Sequence, residues 1–224
     1  MERLPDYISA FIFDLDGVIF DSERAVYNEW KILSEKYGFL NLEEPYMKCI
    51  GVNERKCKNI FLDYYGDDFP YDKYNEERKR SYKEKYGNGN LPLKPGVEEL
   101  LKTLKEKEFR TAIASSTRTQ IVREEVRDAE LMSGFDEIIG GDMVARSKPE
   151  PDIFIKAAEM IDVKPENCCV IEDSYNGIFA ASAAGMFSIM IPDMLLPNDE
   201  MCRIANLILD DLFQLNDMIV NSSR

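Results

Sequence analysis

Two aspartates two residues apart, Asp14 and Asp16, follow the run of residues 8–13, apolar but for Ser9, and precede Gly17. A run with no polar alternation suits a strand covered on both faces in a parallel sheet. Charge driven out of the end of such a strand is costly unless it does chemistry or holds a cation. Aspartates also cap helices, but Asp21, directly before the helical stretch 22–37, is better placed for that role. Two carboxylates this close call for Mg²⁺, a hard cation that takes oxygen ligands, and a phosphate dianion approaching them would make the ion still more necessary.

Three further polar clusters follow predicted strands. Ser115-Ser116-Thr117-Arg118 comes after residues 109–114 and offers hydroxyls and N–H groups at a helix start, which is either a seat for an anion or a plain cap. Ser147-Lys148-Pro149-Glu150-Pro151-Asp152 holds a lysine on a turn stiffened by two prolines. A point charge there suits a phosphoryl oxygen or a carboxylate. Glu172-Asp173-Ser174 ends the run that contains Val170-Ile171. Asp14, Asp16, Glu172 and Asp173 together oppose a single Lys148, so a divalent ion is required to hold them in one place.

The elements that must position these residues follow from the patterning. From Gly96 onward helices and strands alternate, with strands at 109–114, 137–139, 168–171, 187–191 and 207–209. Such alternation indicates βαβ units and a parallel sheet, to which the strand before Asp14 belongs. Between that strand and Gly96 the chain has little strand character and reads as helices over 22–37, 54–65 and 72–86. The breakers of 87–92 and Pro95-Gly96 end this stretch. The expected architecture is α/β: a doubly wound, mainly parallel sheet built from residues 1–20 and 93–224, with a helical cap of residues 21–92 inserted after the first strand. The charged run 76–85 reads as a solvated helix face with (i, i+4) pairs. Tyr64, Tyr65, Tyr71, Tyr74, Tyr82 and Tyr86 read as packing between helices.

Composition narrows the functional classes. The 224 residues carry a net charge of −14, which argues against a nucleic-acid partner and makes an anionic ligand depend on local cations. The chain has no histidine, so histidine bases, histidine metal sites and Ser-His-Asp catalysis are excluded. Five cysteines without C-x-x-C spacing fit a reducing compartment, and the adjacent Cys168 and Cys169 read as buried packing. No signal-peptide pattern and no apolar stretch of spanning length is present. The expectation is a cytoplasmic protein with no membrane contact; the oligomeric state is not fixed by the sequence, and a monomer is compatible with it.

Asp14-Leu15-Asp16-Gly17, Ser115, Ser147-Lys148-Pro149 and Glu172-Asp173-Ser174 match, in order and approximate spacing, the four motifs of the haloacid dehalogenase-like (HAD) hydrolase superfamily. Residues 11–23 together with 147–154 resemble the subgroup that contains β-phosphoglucomutase and the sugar-phosphate phosphatases. The resemblance implies a Mg²⁺-dependent phosphoryl transfer through an aspartyl phosphate on Asp14, with Asp16 as acid toward the leaving oxygen and then base toward water. It further implies that Ser115, with Ser116 beside it, and Lys148 hold the phosphoryl oxygens. Asp14, the backbone carbonyl of Asp16 and Asp173 would hold the metal, with Glu172 on it or directly behind it. The cap cations Lys48, Arg55 and Lys56 are expected to face the site, Arg55 as the substrate-binding candidate.

Two departures bear on the reaction. The mutase pattern places a histidine near Val26 and an arginine after Gly51-Val52-Asn53, whereas this chain has no histidine and has Glu54 there, with Arg55 one place late. A phosphatase acting on a small phosphorylated metabolite, such as a sugar or polyol phosphate, is therefore favoured over β-phosphoglucomutase. A non-catalytic protein that binds a phosphorylated ligand is the alternative of another class, which would keep its function in an Asp14→Asn variant.

Overall fold

The computed structural model describes residues 3–52 and 54–222. Chain order gives β1 (Ala10–Phe13), then four helices α1 (Ser22–Tyr37), α2 (Glu43–Met47), α3 (Glu54–Tyr65) and α4 (Tyr71–Tyr86). There follow α5 (Val97–Glu106), β2 (Arg110–Ser115), α6 (Thr119–Asp128), β3 (Glu137–Gly140), α7 (Asp152–Met160), β4 (Cys168–Glu172), α8 (Tyr175–Ala183) and β5 (Phe187–Met190). The chain ends with α9 (Met201–Ile204), β6 (Leu207–Ile208) and α10 (Leu212–Val220). The six strands form one sheet in the order β3-β2-β1-β4-β5-β6, and every pairing is parallel. This is the α/β architecture expected from the alternation.

Because successive strand residues face opposite sides of a sheet, β1 feeds two cores. Phe11 and Phe13 join Ile113, Ile171, Leu100, Val122 and Leu215 on one face, under α5, α6 and α10. Ala10 and Ile12 join Ala112, Ala114, Phe154, Val170 and Ala181 on the other, under α7 and α8. Alanines on the second face let α7 lie close against β1 and β2. All four β1 residues are buried, so the strand has no wet face, which is why its sequence does not alternate.

Helices α1 to α4 build a third apolar cluster around Trp30, Leu33, Tyr46, Phe61 and Tyr71, which Met194 from the loop after β5 also joins. The tyrosines pack as the sequence suggests: Tyr65 stacks on Phe69, Tyr74 on Tyr37, and Trp30 meets Phe61 and Tyr71. The chain leaves and re-enters the sheet layer along paired backbone, with Asp21 N donating to Pro92 O and Lys94 N to Ile19 O, each at 2.8 Å.

Two local expectations need correction. The charges of α4 pair between helices: Glu77 with Lys36, Lys79 with Glu54, and Lys85 with Glu29. Glu29 is buried, and Ser81 Oγ together with Lys85 satisfies it, as a buried carboxylate requires. Asp21 stands at the N-cap position of α1 but its side chain caps nothing. It faces Arg24 and Lys94 instead, at 3.4 and 3.9 Å, and Lys94 also holds the buried Asp193 at 2.6 Å.

Candidate active site

Sheet register sets the position of the first carboxylate. Phe13 lies opposite both Ile113 and Ile171, and Asp14 N donates to Ile171 O at 3.0 Å. Asp14 therefore emerges from the middle of the sheet at the carboxyl ends of its strands, where open α/β sheets bind ligands. Gly17 then turns the chain at φ 78°, with its N–H bonded to Phe20 O. A Cβ on Gly17 would fall 2.2 Å from Asp173 Oδ2, so glycine here allows β1 and β4 to bring their acids together.

Lys148 reaches into this centre from the turn after β3, whose Lys148–Pro149 bond is cis. Its Nζ lies 2.5 Å from Asp14 Oδ1 and 2.6 Å from Glu172 Oε1, and donates to Ala114 O at 3.0 Å. Glu172 is fully buried at the end of β4, and its Oε2 accepts from Asp173 N, Ser174 N and Ser174 Oγ. Ser174 also caps α8 by accepting from Gly177 N. Asp16 is steered by Ser22 Oγ at 2.7 Å and by Thr117 Oγ1 at 3.3 Å. Ser115 is fully buried, with its hydroxyl accepting from Thr117 N at 3.0 Å, and Ser116 lines the cavity.

The electrostatics test whether a metal fits. Asp14, Glu172 and Asp173 each offer an oxygen within 4.8 Å of the others. Burial, opposed by Lys148 and reinforced by Glu172 and Asp16, pushes the Asp14 carboxyl up to about 8. Burial, then Glu172 and Asp14, hold Asp173 well above the ordinary carboxylate range. Burial alone would lower Lys148, yet Asp14 and Glu172 outweigh it and raise its pKa. One ammonium is thus too little positive charge for this set of buried carboxylates. A hard divalent cation with oxygen ligands is what the donor set lacks, so the residues fit Mg²⁺.

A cavity of about 600 Å³ opens over the acids. Its core wall contains Asp14, Asp16, Ser116, Ser147, Lys148, Asp173, Ser174 and Asn176. The opposite wall is Glu23 and the loop from α2 to α3, including Cys49, Gly51 and Lys56. Asn176 Nδ2 donates to Gly51 O at 3.2 Å, a direct tie between the two walls. Of the three expected cap cations only Lys56 lines the cavity. Lys48 pairs with Glu44, and Arg55 is exposed. Nor does Glu54 present charge to the cavity, because Lys79 and Asn75 bind its carboxylate. Val26 sits against the cap's apolar cluster.

The expected anion seat at the start of α6 is also used differently: Asp142, from beyond β3, accepts from both Thr119 N and Thr119 Oγ1 at 2.7 Å. The backbone turn at Ser115 to Thr117, not the helix terminus, faces the acids. Sequence reasoning missed Glu23, Ser147 and Asn176 as cavity residues. Glu23 carried one usable signal, an acid on the first turn of the helix that directly leaves the Asp16 turn. Burial, with Asp16 adding to it, pushes its carboxyl up to about 7.

Among the described residues no helix is long and apolar enough to cross a membrane. Comparison with known proteins agrees with the geometry. The chain is 33% identical to a phosphorylated carbohydrates phosphatase of Thermotoga maritima over 183 residues, 80% of this chain and 82% of that one. It is 30% identical to β-phosphoglucomutase of Bacillus subtilis, over 81% of this chain and 82% of that one. Among solved structures, a HAD family hydrolase from Deinococcus radiodurans with bound phosphate and sodium matches with a TM-score of 0.79 at 26% identity, covering 94% of each chain. A family model described as haloacid dehalogenase-like hydrolase spans residues 11–191, and the chain belongs to that family.

Proposed function

We propose that this enzyme is a Mg²⁺-dependent phosphatase that hydrolyses a small phosphorylated carbohydrate, sugar or polyol, through a phosphorylated Asp14. One observation carries the reading: Asp14, with one oxygen bound to Lys148, stands in a metal-capable acidic cluster at the floor of a cavity that also contains Asp16. The relatives that act on phosphorylated carbohydrates support it.

In this mechanism Lys148 orients Asp14 by holding Oδ1, which leaves Oδ2 to attack phosphorus. Asp16, steered by Ser22 and Thr117, protonates the departing ester oxygen and later takes a proton from the water that hydrolyses the acyl phosphate. The Ser115 to Thr117 turn receives the phosphoryl oxygens as charge spreads over them, and Lys148, whose three N–H groups are taken by Asp14, Glu172 and Ala114 O, contributes its charge. Asp14, Asp173 and the Asp16 carbonyl would hold Mg²⁺, which supplies the charge stabilisation that one lysine does not. Glu172 stands behind them as the positioning residue, since Lys148 and three donors already occupy its oxygens. Residues 21–92 act as the cap unit over a core of 1–20 and 93–224.

Hydrolysis is preferred to β-phosphoglucomutase chemistry because Val26 packs into the cap and Lys79 binds Glu54, leaving neither position to handle a bisphosphate. A Mg²⁺-supplemented screen of phosphorylated sugars and polyols, reading free phosphate alongside isomerised β-glucose 1-phosphate, tests the assignment. Phosphate release that falls by about a thousandfold or more in Asp14→Asn is the expected outcome. Conversion to the 6-phosphate without net phosphate release would refute it, as would an unchanged rate in the variant.

A further inference from the structure

We propose that Glu23 reads the part of the substrate beyond the phosphate and restricts this enzyme to singly phosphorylated molecules that present hydroxyl groups, not a second anion. The inference rests on the phosphatase reading above and specifies its substrate. Glu23 lies on the first turn of α1, seven residues beyond Asp16, and lines the cavity. Tyr46 holds it, with the hydroxyl donating to Glu23 O at 2.8 Å and to Oε2 at 3.2 Å. Tyr46 is itself buried in the cap's apolar cluster, so the carboxylate is anchored from behind. Among the described residues Glu23 Oε1 accepts no hydrogen bond, and no lysine or arginine forms an ion pair with Glu23.

Four carboxylates line the cavity, Asp14, Asp16, Glu23 and Asp173, against two lysines, Lys56 and Lys148. Lys148 is already engaged by Asp14 and Glu172. The charge brought by a divalent ion is matched by the core acids and the reacting phosphate. A second phosphate or a carboxylate beside Glu23 would therefore meet like charge in a partly desolvated site, which is a strong basis for rejection. A hydroxyl in the same place donates to the carboxylate in a charge-assisted hydrogen bond. Sites built to bond a hydroxyl discriminate sharply against analogues that cannot make the bond. The volume of about 600 Å³ accommodates a carbohydrate phosphate of up to six carbons.

Matched pairs in which a terminal alcohol is replaced by a carboxylate test this: sorbitol 6-phosphate against 6-phosphogluconate, and glycerol 3-phosphate against 3-phosphoglycerate. Assays with Mg²⁺ at pH 8 keep Glu23 ionised. The expected kcat/KM ratio of alcohol to carboxylate is about 100-fold in at least one pair and falls below about tenfold in Glu23→Gln, through gain on the carboxylate and loss on the alcohol. Calorimetry supplies a readout free of turnover. In an Asp14→Asn background, Glu23→Gln should weaken sorbitol 6-phosphate binding by about tenfold. Should Glu23→Gln not fold, Tyr46→Phe, which releases the anchored oxygen, should lower the same ratio. Turnover with no preference in either pair, or a ratio unmoved by the substitutions, overturns the role of Glu23 alone. No phosphate release from any ester overturns the phosphatase reading and this inference with it.

Discussion

Gly177→Ala should destabilise the protein and disable its active site, although alanine is the better helix former. Gly177 is the third residue of α8, and exchanging glycine for alanine inside a helix ordinarily stabilises by about 0.8–1 kcal/mol. Here the added Cβ would fall 1.8 Å from Glu172 Cδ and Oε1, and 2.3 Å from Oε2. Neither side can yield cheaply. Glu172 is fully buried and fixed by Lys148, two backbone N–H groups and Ser174 Oγ, and α8 packs on β5. Overpacking of a tight site costs about 1–3 kcal/mol, and hydrogen bonds to a charged group contribute about 1.5–3 kcal/mol each. With some bonds remade to water, a net loss of about 3 kcal/mol is a reasonable magnitude. On a chain of this size that lowers Tm by roughly 6–12 °C. Displaced Glu172 also frees Lys148 from one of its two carboxylates, so kcat/KM should fall by about 100-fold or more. Differential scanning calorimetry and phosphate release measure the two effects. A variant as stable as wild type, or more stable as helix propensity alone would have it, refutes the packing argument. Full activity in a destabilised variant refutes the positioning role of Glu172.

Two further outcomes can be measured on the same protein. Burial, with Asp16 and Glu124 adding to it, pushes the Glu125 carboxyl up to about 7; a carboxyl raised on folding favours the folded state at low pH and loses that advantage as pH rises through the folded value. Glu125→Gln should therefore leave Tm unchanged near pH 4 and raise it relative to wild type at pH 8, and a difference independent of pH would refute the assignment. Mg²⁺ at about a hundred times its dissociation constant should stabilise the fold by about 2.7 kcal/mol, a Tm rise of roughly 5–10 °C reversed by EDTA. No shift would refute Asp14 and Asp173 as the carboxylates of a cation site.

What could be read from sequence was whatever a strand end dictates. β1, β4 and residues 112–114 of β2 are covered on both faces, so their sequences are apolar there, and acids or hydroxyls mark where each leaves the sheet. Helices α1 and α3 have the bounds expected from periodicity because breakers or polar turns flank them. Relations between distant segments were not legible. Asp142 caps α6 from 23 residues away, which no local pattern encodes. Arg55 and Lys56 are neighbours in sequence and both exposed, yet one helical step is about 100°, enough to turn Arg55 away and bring Lys56 to the cavity. Glu23 reads locally as a first-turn acid favoured by the helix dipole; only the approach of Tyr46 from α2 and the cavity beside it give it a further meaning.

Frame and discrimination thus come from different parts of the chain. The positions of Asp14, Glu172 and Asp173 are set by strand register, and Lys148 ties two of those acids and β2 to the turn after β3. In the proposed mechanism they handle the one group every substrate shares, the phosphate. Glu23, Tyr46 and Lys56 belong to helices whose backbone joins the sheet layer at residues 19–21 and 92–94, with Asn176 to Gly51 as a bond across the cavity. In the same proposal Glu23, held by Tyr46, and Lys56 meet what differs between substrates. Damage to the first group should lower kcat for all esters alike, since it removes transition-state stabilisation common to them. Changes in the second group should move the ratios between esters more than the rates themselves. In a chain without histidine and with a net charge of −14, the proposed mechanism gives carboxylates the parts of nucleophile, acid–base group, metal ligands and selectivity element. Burial and neighbouring charge, not residue type, distinguish those roles.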